Sequence, residues 1–292
     1  MSVCVLCHAE VDTAARLAWH KDGLDIVRCA SCDLVFRAEP PGEQDLPAIY
    51  DEDYFRDRPD GADRHGYADY VRDASLHRAN ARRRLRRLAA HAEGSGRLFD
   101  VGCAAGFFVD EARRAGWDAA GCDVSDAMVE FATSELGVPV VRASFTRTDA
   151  DAPYDAITMW DYIEHSLDPR RDLEHAQEQL RPGGVLALST GDIGSLVARL
   201  TGRRWHLLTP EHHNFFFDER TLRRLLHETG FTVLELGHPA GLYSISHALY
   251  KLGAVGPPLI RRTASRAGRS RVGQLGVPIN LYDIVTVVAR RR

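Results

Sequence analysis

The stretch from Arg97 to Gly106, RLFDVGCAAG, is a short apolar strand that runs into a glycine-interrupted turn, with a helix opening behind it at Phe107. Leu98, Phe99 and Val101 have the character of a strand buried on both faces, as parallel strands are. Gly102 permits a sharp turn, and Gly106 lets backbone approach a ligand closely. Asp100 breaks the pattern. A carboxylate inside an apolar strand is costly unless it meets a partner, and at a strand's carboxyl end that partner can be a bound cofactor. The GxxxG spacing is neither the GxGxxG of dinucleotide sites nor the GK[ST] of a phosphate loop, so no pyrophosphate cradle is indicated. Taken alone, the stretch fits a plain strand-to-helix turn as well as a ligand site.

The residues downstream decide between these. A helix should run to about Ala115, then a strand around Trp117 to Gly121, then Cys122 and Asp123, with Ser125 to Ala127 (SDA) starting the next helix. Asp123 ends a second parallel strand about twenty residues past the first turn, where an acid accepts hydrogen bonds from ribose hydroxyls. Its alternative role, as a helix-entry residue, is weaker because Ser125 is available as the cap. Gly137 closes that helix and Val138 to Val141 gives a third strand. Ala143, Ser144 and Phe145 follow where chain order puts an adenine ring. Tyr154 to Trp160 (YDAITMW) is a fourth strand, followed by DYIEHSLDP, a helix from about Arg170 to Leu180, the turn RPGG and a fifth strand, Val185 to Ser189. This alternation predicts an α/β fold: a doubly wound, mostly parallel, Rossmann-like sheet whose ligands lie at the strands' carboxyl ends. Asp100, Asp123 and the Trp160 to His165 loop fall on that edge. The final strand, Ile284 to Ala289, is expected to pair antiparallel at the sheet's edge.

Upstream, Cys4 and Cys7 (CVLC) and Cys29 and Cys32 (CASC) are separated by strand-like segments at Leu24 to Arg28 and Leu34 to Arg37. Two CxxC knuckles on facing hairpins bring four soft ligands to one point, which predicts a small N-terminal zinc ribbon over residues 1–40. Four cysteines fill the tetrahedral shell, so the Zn2+ is structural and His8 and His20 are bystanders. The proline-rich Glu39 to Pro47 marks the boundary, and residues 41–95 form a linker and helical cap. Tyr50 to Phe55 (YDEDYF) is either a loop over the ligand or a docking contact. From Tyr67 to about His91 apolar residues recur at helical spacing, and the opposite face carries Arg82, Arg83, Arg84, Arg86 and Arg87, read as a solvated face in preference to an RNA surface.

The 292 residues carry a formal net charge of −4 and are 45% apolar. That balance gives the whole molecule no general attraction to nucleic acid or anionic membrane, although local patches can differ. No apolar run is long enough to span a membrane, so the expected location is cytoplasmic. Farther on, PEHHNFFF sets Glu211, His212 and His213 before three phenylalanines, titratable groups beside an apolar wall, as in a small-molecule pocket. Asp218 is a helix cap before Leu222 to Thr229, and the strand Phe231 to Leu236 follows. The tail holds an amphipathic stretch, Leu242 to Leu252, and an arginine-dotted loop, Arg261 to Arg271.

These residues together resemble the class I S-adenosylmethionine-dependent methyltransferases, of the bacterial small-molecule type with an N-terminal zinc ribbon. DVGCAAG resembles the family's first cofactor motif, GCDVSD its ribose-binding acid, YDAITMWDYIEHSLDP its fourth-strand motif and LRPGGVLALST its fifth. The resemblance implies a methyltransferase domain over 96–292, with a substrate-side insertion at 191–218 and a C-terminal cap at 240–280. It implies that Asp100, Gly102, Cys103 and Gly106 line the methionine and ribose of S-adenosylmethionine, that Asp123 binds the ribose hydroxyls, and that Phe145 and Trp160 border the adenine or sulfonium. PEHHNFF is similar to the substrate-side segment of sugar C-methyltransferases, but Thr209 and Pro210 replace the tyrosine expected before the Glu-His pair, so sugar C-methylation is not implied. The expected activity is methyl transfer to an oxygen or carbon of a small-molecule acceptor, with His212 as general base, Glu211 orienting it and His165 as the alternate. The rival is an RNA methyltransferase that binds through ribbon and basic helix. Against it stand the acidic net charge and MWDY in place of an NPPY-like tetrapeptide after the fourth strand.

Overall fold

The computed structural model describes residues 2–50, 70–148, 153–245 and 272–292. The N-terminal segment forms β1 (Ser2–Val3), β2 (Glu10–Val11), β3 (Leu17–Lys21), β4 (Leu24–Arg28) and β5 (Val35–Arg37), followed by α1 (Leu46–Ile49) and α2 (Ala74–Ala89). Strands and helices then alternate as β6 (Arg97–Val101), α3 (Phe107–Arg114), β7 (Asp118–Asp123), α4 (Asp126–Ser134), β8 (Val140–Arg142), β9 (Tyr154–Trp160), α5 (Pro169–Gln179) and β10 (Leu180–Gly191). Beyond these lie α6 (Leu196–Thr201), β11 (Phe215–Phe216), α7 (Glu219–Glu228), β12 (Phe231–Gly237), β13 (Gly241–Ser244), β14 (Gly276–Ile279) and β15 (Ile284–Arg291).

Seven strands make the central sheet in the order β8-β7-β6-β9-β10-β15-β12. The first five are parallel, and β15 runs antiparallel to both β10 and β12. The last strand is therefore antiparallel as expected, but it lies inside the sheet, and β12 takes the edge. Burial gives the reason. Val285, Val287, Val288 and Ala289 are all buried, which suits a strand hydrogen-bonded on both sides, whereas β12 has only Phe231 fully enclosed. Asp218 caps α7 by accepting from the Thr221 backbone N–H at 2.7 Å, as its sequence position suggests.

The cysteine-bearing segment does not stand apart from this sheet. Its strands continue into a four-stranded sheet ordered β11-β5-β4-β3, in which β11 comes from the far side of the chain and pairs Phe215 with Phe36 and Phe216 with Val35. One continuous apolar cluster runs from Leu6, Val27 and Leu34 to Leu222, Phe231 and Val285. Phe215, Phe216 and Phe217 are buried in packing of this kind, with Phe215 stacked on Phe36 at 6.4 Å between centroids. The three phenylalanines thus join ribbon to sheet and do not wall the ligand cavity, a correction to the sequence reading. Residues 51–55 of the YDEDYF stretch, Tyr67, residues 246–252 and the Arg261 to Arg271 loop lie outside the described residues. No described helix is long and apolar enough to cross a membrane.

Candidate functional site

A cavity of about 850 Å³ opens at the carboxyl ends of the parallel strands, where the sequence places Asp100, Asp123 and the Trp160 to His165 loop. The turn after β6 is shaped by glycine at two points. Gly102 has φ +65°, and a Cβ there would come within 2.7 Å of the Tyr162 ring. Gly106 has φ +74°, but a Cβ on it would strike Val138 Cγ2 at 2.9 Å, so its missing side chain serves the packing of α3 on its neighbours. Gly106 is not in the cavity lining, whereas Gly102 and Cys103 are. The close approach that Gly106 allows is made here by Val138 and Ala132 of the protein itself.

Asp100 is buried and accepts from the Thr158 hydroxyl at 2.6 Å. Burial lifts its carboxyl to about 7, with Thr158 and Arg84 pulling the other way and Asp123 adding to the rise. Asp123 accepts from the backbone N–H of Ala104 at 2.8 Å and of Ser125 at 2.9 Å, one on each oxygen. It therefore does hold the helix entry, a job the Ser125 hydroxyl leaves undone. Burial still moves its carboxyl upward against those backbone donors. Cys103 is enclosed beside both acids, and burial pushes its thiol well up, which disfavours the thiolate a nucleophile needs. Phe145 lines the same space, stacked near Phe99 at 6.0 Å and edge-on to His175 at 4.7 Å.

The opposite wall is less regular. Arg84, from α2, reaches over the Trp160 ring at 4.8 Å and donates to Asp161 at 2.6 Å; Asp161 in turn accepts from the Ser189 hydroxyl at 2.7 Å. Asp161 sits at φ +52°, a left-handed conformation at the end of β9. Arg84 is thus a cavity residue and not part of a solvated face; Arg82 and Arg87 are likewise paired, with Glu111 and Glu235. Next come Glu164, His165 and His213, all lining the cavity, with ligand-type atoms within 4.8 Å of one another. His165 Nδ1 lies 2.9 Å from the His212 carbonyl oxygen and 3.0 Å from the Tyr50 hydroxyl, and His213 Nδ1 lies 2.8 Å from the Leu207 carbonyl oxygen. A ring whose Nδ1–H donates to a carbonyl carries its basic lone pair on Nε2. Burial holds His165 down to about 4, hence neutral. Burial, aided by the Asp161 charge, lifts Glu164 to about 8.

The Trp160 indole nitrogen is buried without a hydrogen-bond partner among the described residues, and so is Glu164 Oε2, although the Glu164 carboxyl as a group is held down in part by the Thr190 hydroxyl. An acceptor and a donor left open in a cavity wall are what a polar ligand would satisfy. Glu211 and His212, by contrast, lie outside the cavity lining. His212 presents its carbonyl to His165, and its side chain is set back. Sequence reasoning named His165 and passed over its neighbour Glu164, although the EH dipeptide was the available signal. Arg84 carried no signal beyond its place in a basic run.

This wall is braced by the ribbon. Asn214 donates through its amide to the carbonyls of His165 (3.1 Å) and Ser166 (3.2 Å), and its own carbonyl accepts from the Arg37 N–H at 2.8 Å. In the ribbon the sulfurs of Cys4, Cys7, Cys29 and Cys32 lie within 4.8 Å of one another, with Cys4–Cys32 and Cys7–Cys29 both at 3.5 Å. Burial raises the Cys4 thiol to about 11; at Cys29 it is outweighed by the backbone N–H groups of Ser31 and Cys32, which bring that thiol to about 7. Asp192, Glu219 and His238 form a third such group, away from the cavity lining.

A methyltransferase domain family model matches residues 70–236, more than half of the chain. Among curated proteins, the ubiquinone biosynthesis O-methyltransferase of Pectobacterium atrosepticum is 32% identical over 124 residues, covering 39% of this chain and 51% of that protein. The protein of the same name from Alkalilimnicola ehrlichii is 32% identical over 101 residues, covering 32% and 41%. The chain spans about half the length of the curated relatives it matches. A SAM-dependent methyltransferase from Archaeoglobus fulgidus superposes with a TM-score of 0.50 at 19% identity, over 76% of this chain and 99% of that one. Magnesium protoporphyrin IX methyltransferase from Synechocystis PCC 6803, with bound SAH, gives 0.50 at 18% identity, over 78% and 90%. At such identities the structural likeness speaks for the fold alone, but the family match covers β6 to β12 together with the acids at their ends. The chain belongs to the methyltransferase domain family, as a class I, S-adenosylmethionine-dependent member.

Proposed function

We propose that this protein transfers a methyl group from S-adenosylmethionine to an oxygen or carbon of a small-molecule acceptor. The observation that carries this is a single cavity of about 850 Å³ that joins the two strand-end acids to the Glu164, His165 and His213 cluster. Its volume falls within the range of small-molecule sites. The matched relatives are named for O-methylation in ubiquinone biosynthesis, which favours oxygen. The RNA alternative is not favoured, because three of the five arginines of that run, Arg82, Arg84 and Arg87, are engaged by acids of the protein itself.

The cofactor, when bound, supplies an electrophilic methyl on a sulfonium. Asp123 would hold the ribose hydroxyls, since each of its oxygens has capacity beyond the one backbone donor it already meets. Asp100, Gly102 and Cys103 would line the methionine and ribose, and Phe145 and Trp160 would flank the adenine and sulfonium end. Gly106 supports the turn from behind. An ammonium or hydroxyl donor beside Asp100 would return that carboxyl to its ionised form.

On the acceptor side we assign the proton to the carboxyl of Glu164, a buried residue of the cavity lining. A carboxyl raised to about 8 is a stronger base than an ordinary one. Neutral His165 then accepts a hydrogen bond through Nε2, oriented by the His212 carbonyl at 2.9 Å. This replaces the Glu211–His212 assignment, in which His212 itself is the base. His212→Ala keeps the carbonyl and should retain turnover, whereas Glu164→Gln should lose it. The four cysteines are assigned to structural zinc: a tetrahedron at about 2.3 Å per Zn–S bond has edges near 3.8 Å, and the two 3.5 Å sulfur pairs are close to that. Incubation with isotope-labelled cofactor and a metabolite extract, read by mass spectrometry, tests the whole reading. Label in a small-molecule product supports it; label in RNA, or none transferred, overturns it.

A further inference from the structure

We propose that α6 and the turn after it dock this protein on an anionic lipid surface, with the cavity mouth facing that surface. The proposal stands independently of the methyl-transfer reading. Leu196 and Leu200, four residues apart and so on one face of α6, are 70% and 77% exposed, the two highest values among the large apolar side chains described. Apolar side chains exposed together at the rim of a cavity mark a contact surface more than chance exposure does. Arg199, Arg203 and Arg204 are exposed beside them and make no ion pair among the described residues. Leu196 to Arg204 (LVARLTGRR) contains no acidic residue. In this the run differs from α2, whose basic face is largely paired with the protein's own acids.

The segment is held rigidly from behind. Ala198 and Trp205 are buried in a cluster with Ile26, Val35, Leu208 and Phe216, and the Trp205 indole donates to Asp283 at 3.0 Å. Its flank belongs to the cavity: Val197, Thr201 and Arg204 line it, and so does Leu281, itself 47% exposed. A leucine pair at the level of acyl chains with arginines at the level of headgroups is the arrangement of an interfacial helix. A second copy of the chain fits poorly, because a twofold contact here would oppose arginine to arginine. Nucleic acid would match the arginines and leave the leucines in water. The formal net charge of −4 makes the attraction a local one, carried by this face and not by the molecule as a whole.

The test is cosedimentation of the full chain with vesicles of phosphatidylcholine containing phosphatidylglycerol, against vesicles of phosphatidylcholine alone. Binding to the anionic vesicles, weakened by added salt, is expected. Arg199→Gln with Arg203→Gln should cost about thirtyfold in partitioning, at about 1 kcal/mol per charge. Leu196→Glu with Leu200→Glu should abolish binding while leaving the thermal midpoint unchanged, since both side chains already face solvent. Equal binding to both vesicle types, no binding at all, or full binding by either double variant would overturn the proposal. So would a wild-type dimer in solution that Leu196→Glu with Leu200→Glu converts to monomer.

Discussion

The two walls of the cavity are built differently. The wall of Asp100, Gly102, Cys103 and Asp123 comes from the ends of adjacent parallel strands, each fixed by its own β-turn-α unit. The wall of Arg84, Glu164, His165 and His213 is assembled from α2, the loop after β9 and the segment before β11, and the ribbon braces it through Asn214 and Arg37. A donor site made of repeated local units can stay constant while the acceptor wall changes with whatever is packed behind it.

The largest expected effect follows from removing the zinc proposed for Cys4, Cys7, Cys29 and Cys32. Structural zinc contributes about 10–16 kcal/mol of binding energy to small cysteine sites, comparable to the whole stability of a domain. Chelation, or Cys32→Ser, should melt the ribbon and with it the β5–β11 pairing. Turnover should vanish while calorimetry still finds cofactor binding at the first wall; loss of both together would erase the distinction between the walls. Next in size, Glu164→Gln should lower kcat by about 10²–10⁴-fold and remove the rise in rate through pH 8 expected of the wild type as this carboxyl ionises.

The same variant tests the burial of that acid. A carboxyl at about 8 in the fold and near 4.5 unfolded keeps its proton longer when folded, so its contribution to stability is complete below the unfolded value and is lost as pH rises toward 8. Glu164→Gln should therefore melt higher than wild type in alkaline buffer and equally in acid; a midpoint gain that does not grow with pH would show that Glu164 is ordinary. Asp123→Asn should weaken cofactor affinity by roughly thirtyfold, about 2 kcal/mol for charge-assisted bonds, with little change in the response to acceptor. Smallest of all, Arg84→Lys keeps the charge but loses the planar contact over Trp160. About a several-fold rise in KM for the acceptor is expected, near 1 kcal/mol, and an equal effect on cofactor binding would place Arg84 in the first wall instead.

The first wall was legible because local pattern encodes it. Tyr154–Trp160 has the sequence-derived limits, the helix after RLFDVGCAAG begins at Phe107, and Asp123 ends β7. The second wall was not, since its geometry depends on pairings between distant segments that leave no periodicity. Phe215 to Phe217 read as a pocket wall because an apolar run beside histidines looks alike whether it faces a ligand or a sheet edge. Gly106 read as a ligand contact because a glycine records that a Cβ is unwelcome without recording what displaces it, here Val138. The antiparallel sense of β15 was expected, but its place inside the sheet required knowing that β12 arrives first and stays outermost.

The pairing of Phe36 with Phe215 joins two residues that are 179 positions apart in a chain of 292. At roughly 5–20 residues per second, β5 waits about 10–35 s for its outer neighbour. During that interval the ribbon has an exposed strand edge and four reduced thiols, at a stage when no cavity yet exists. Metal capture at that point would close the cysteine cluster early and leave β5 held in register, a template already set when β11 emerges. Biogenesis would then run in a fixed order, with the metal-loaded segment made first and the β11 wall set against it later.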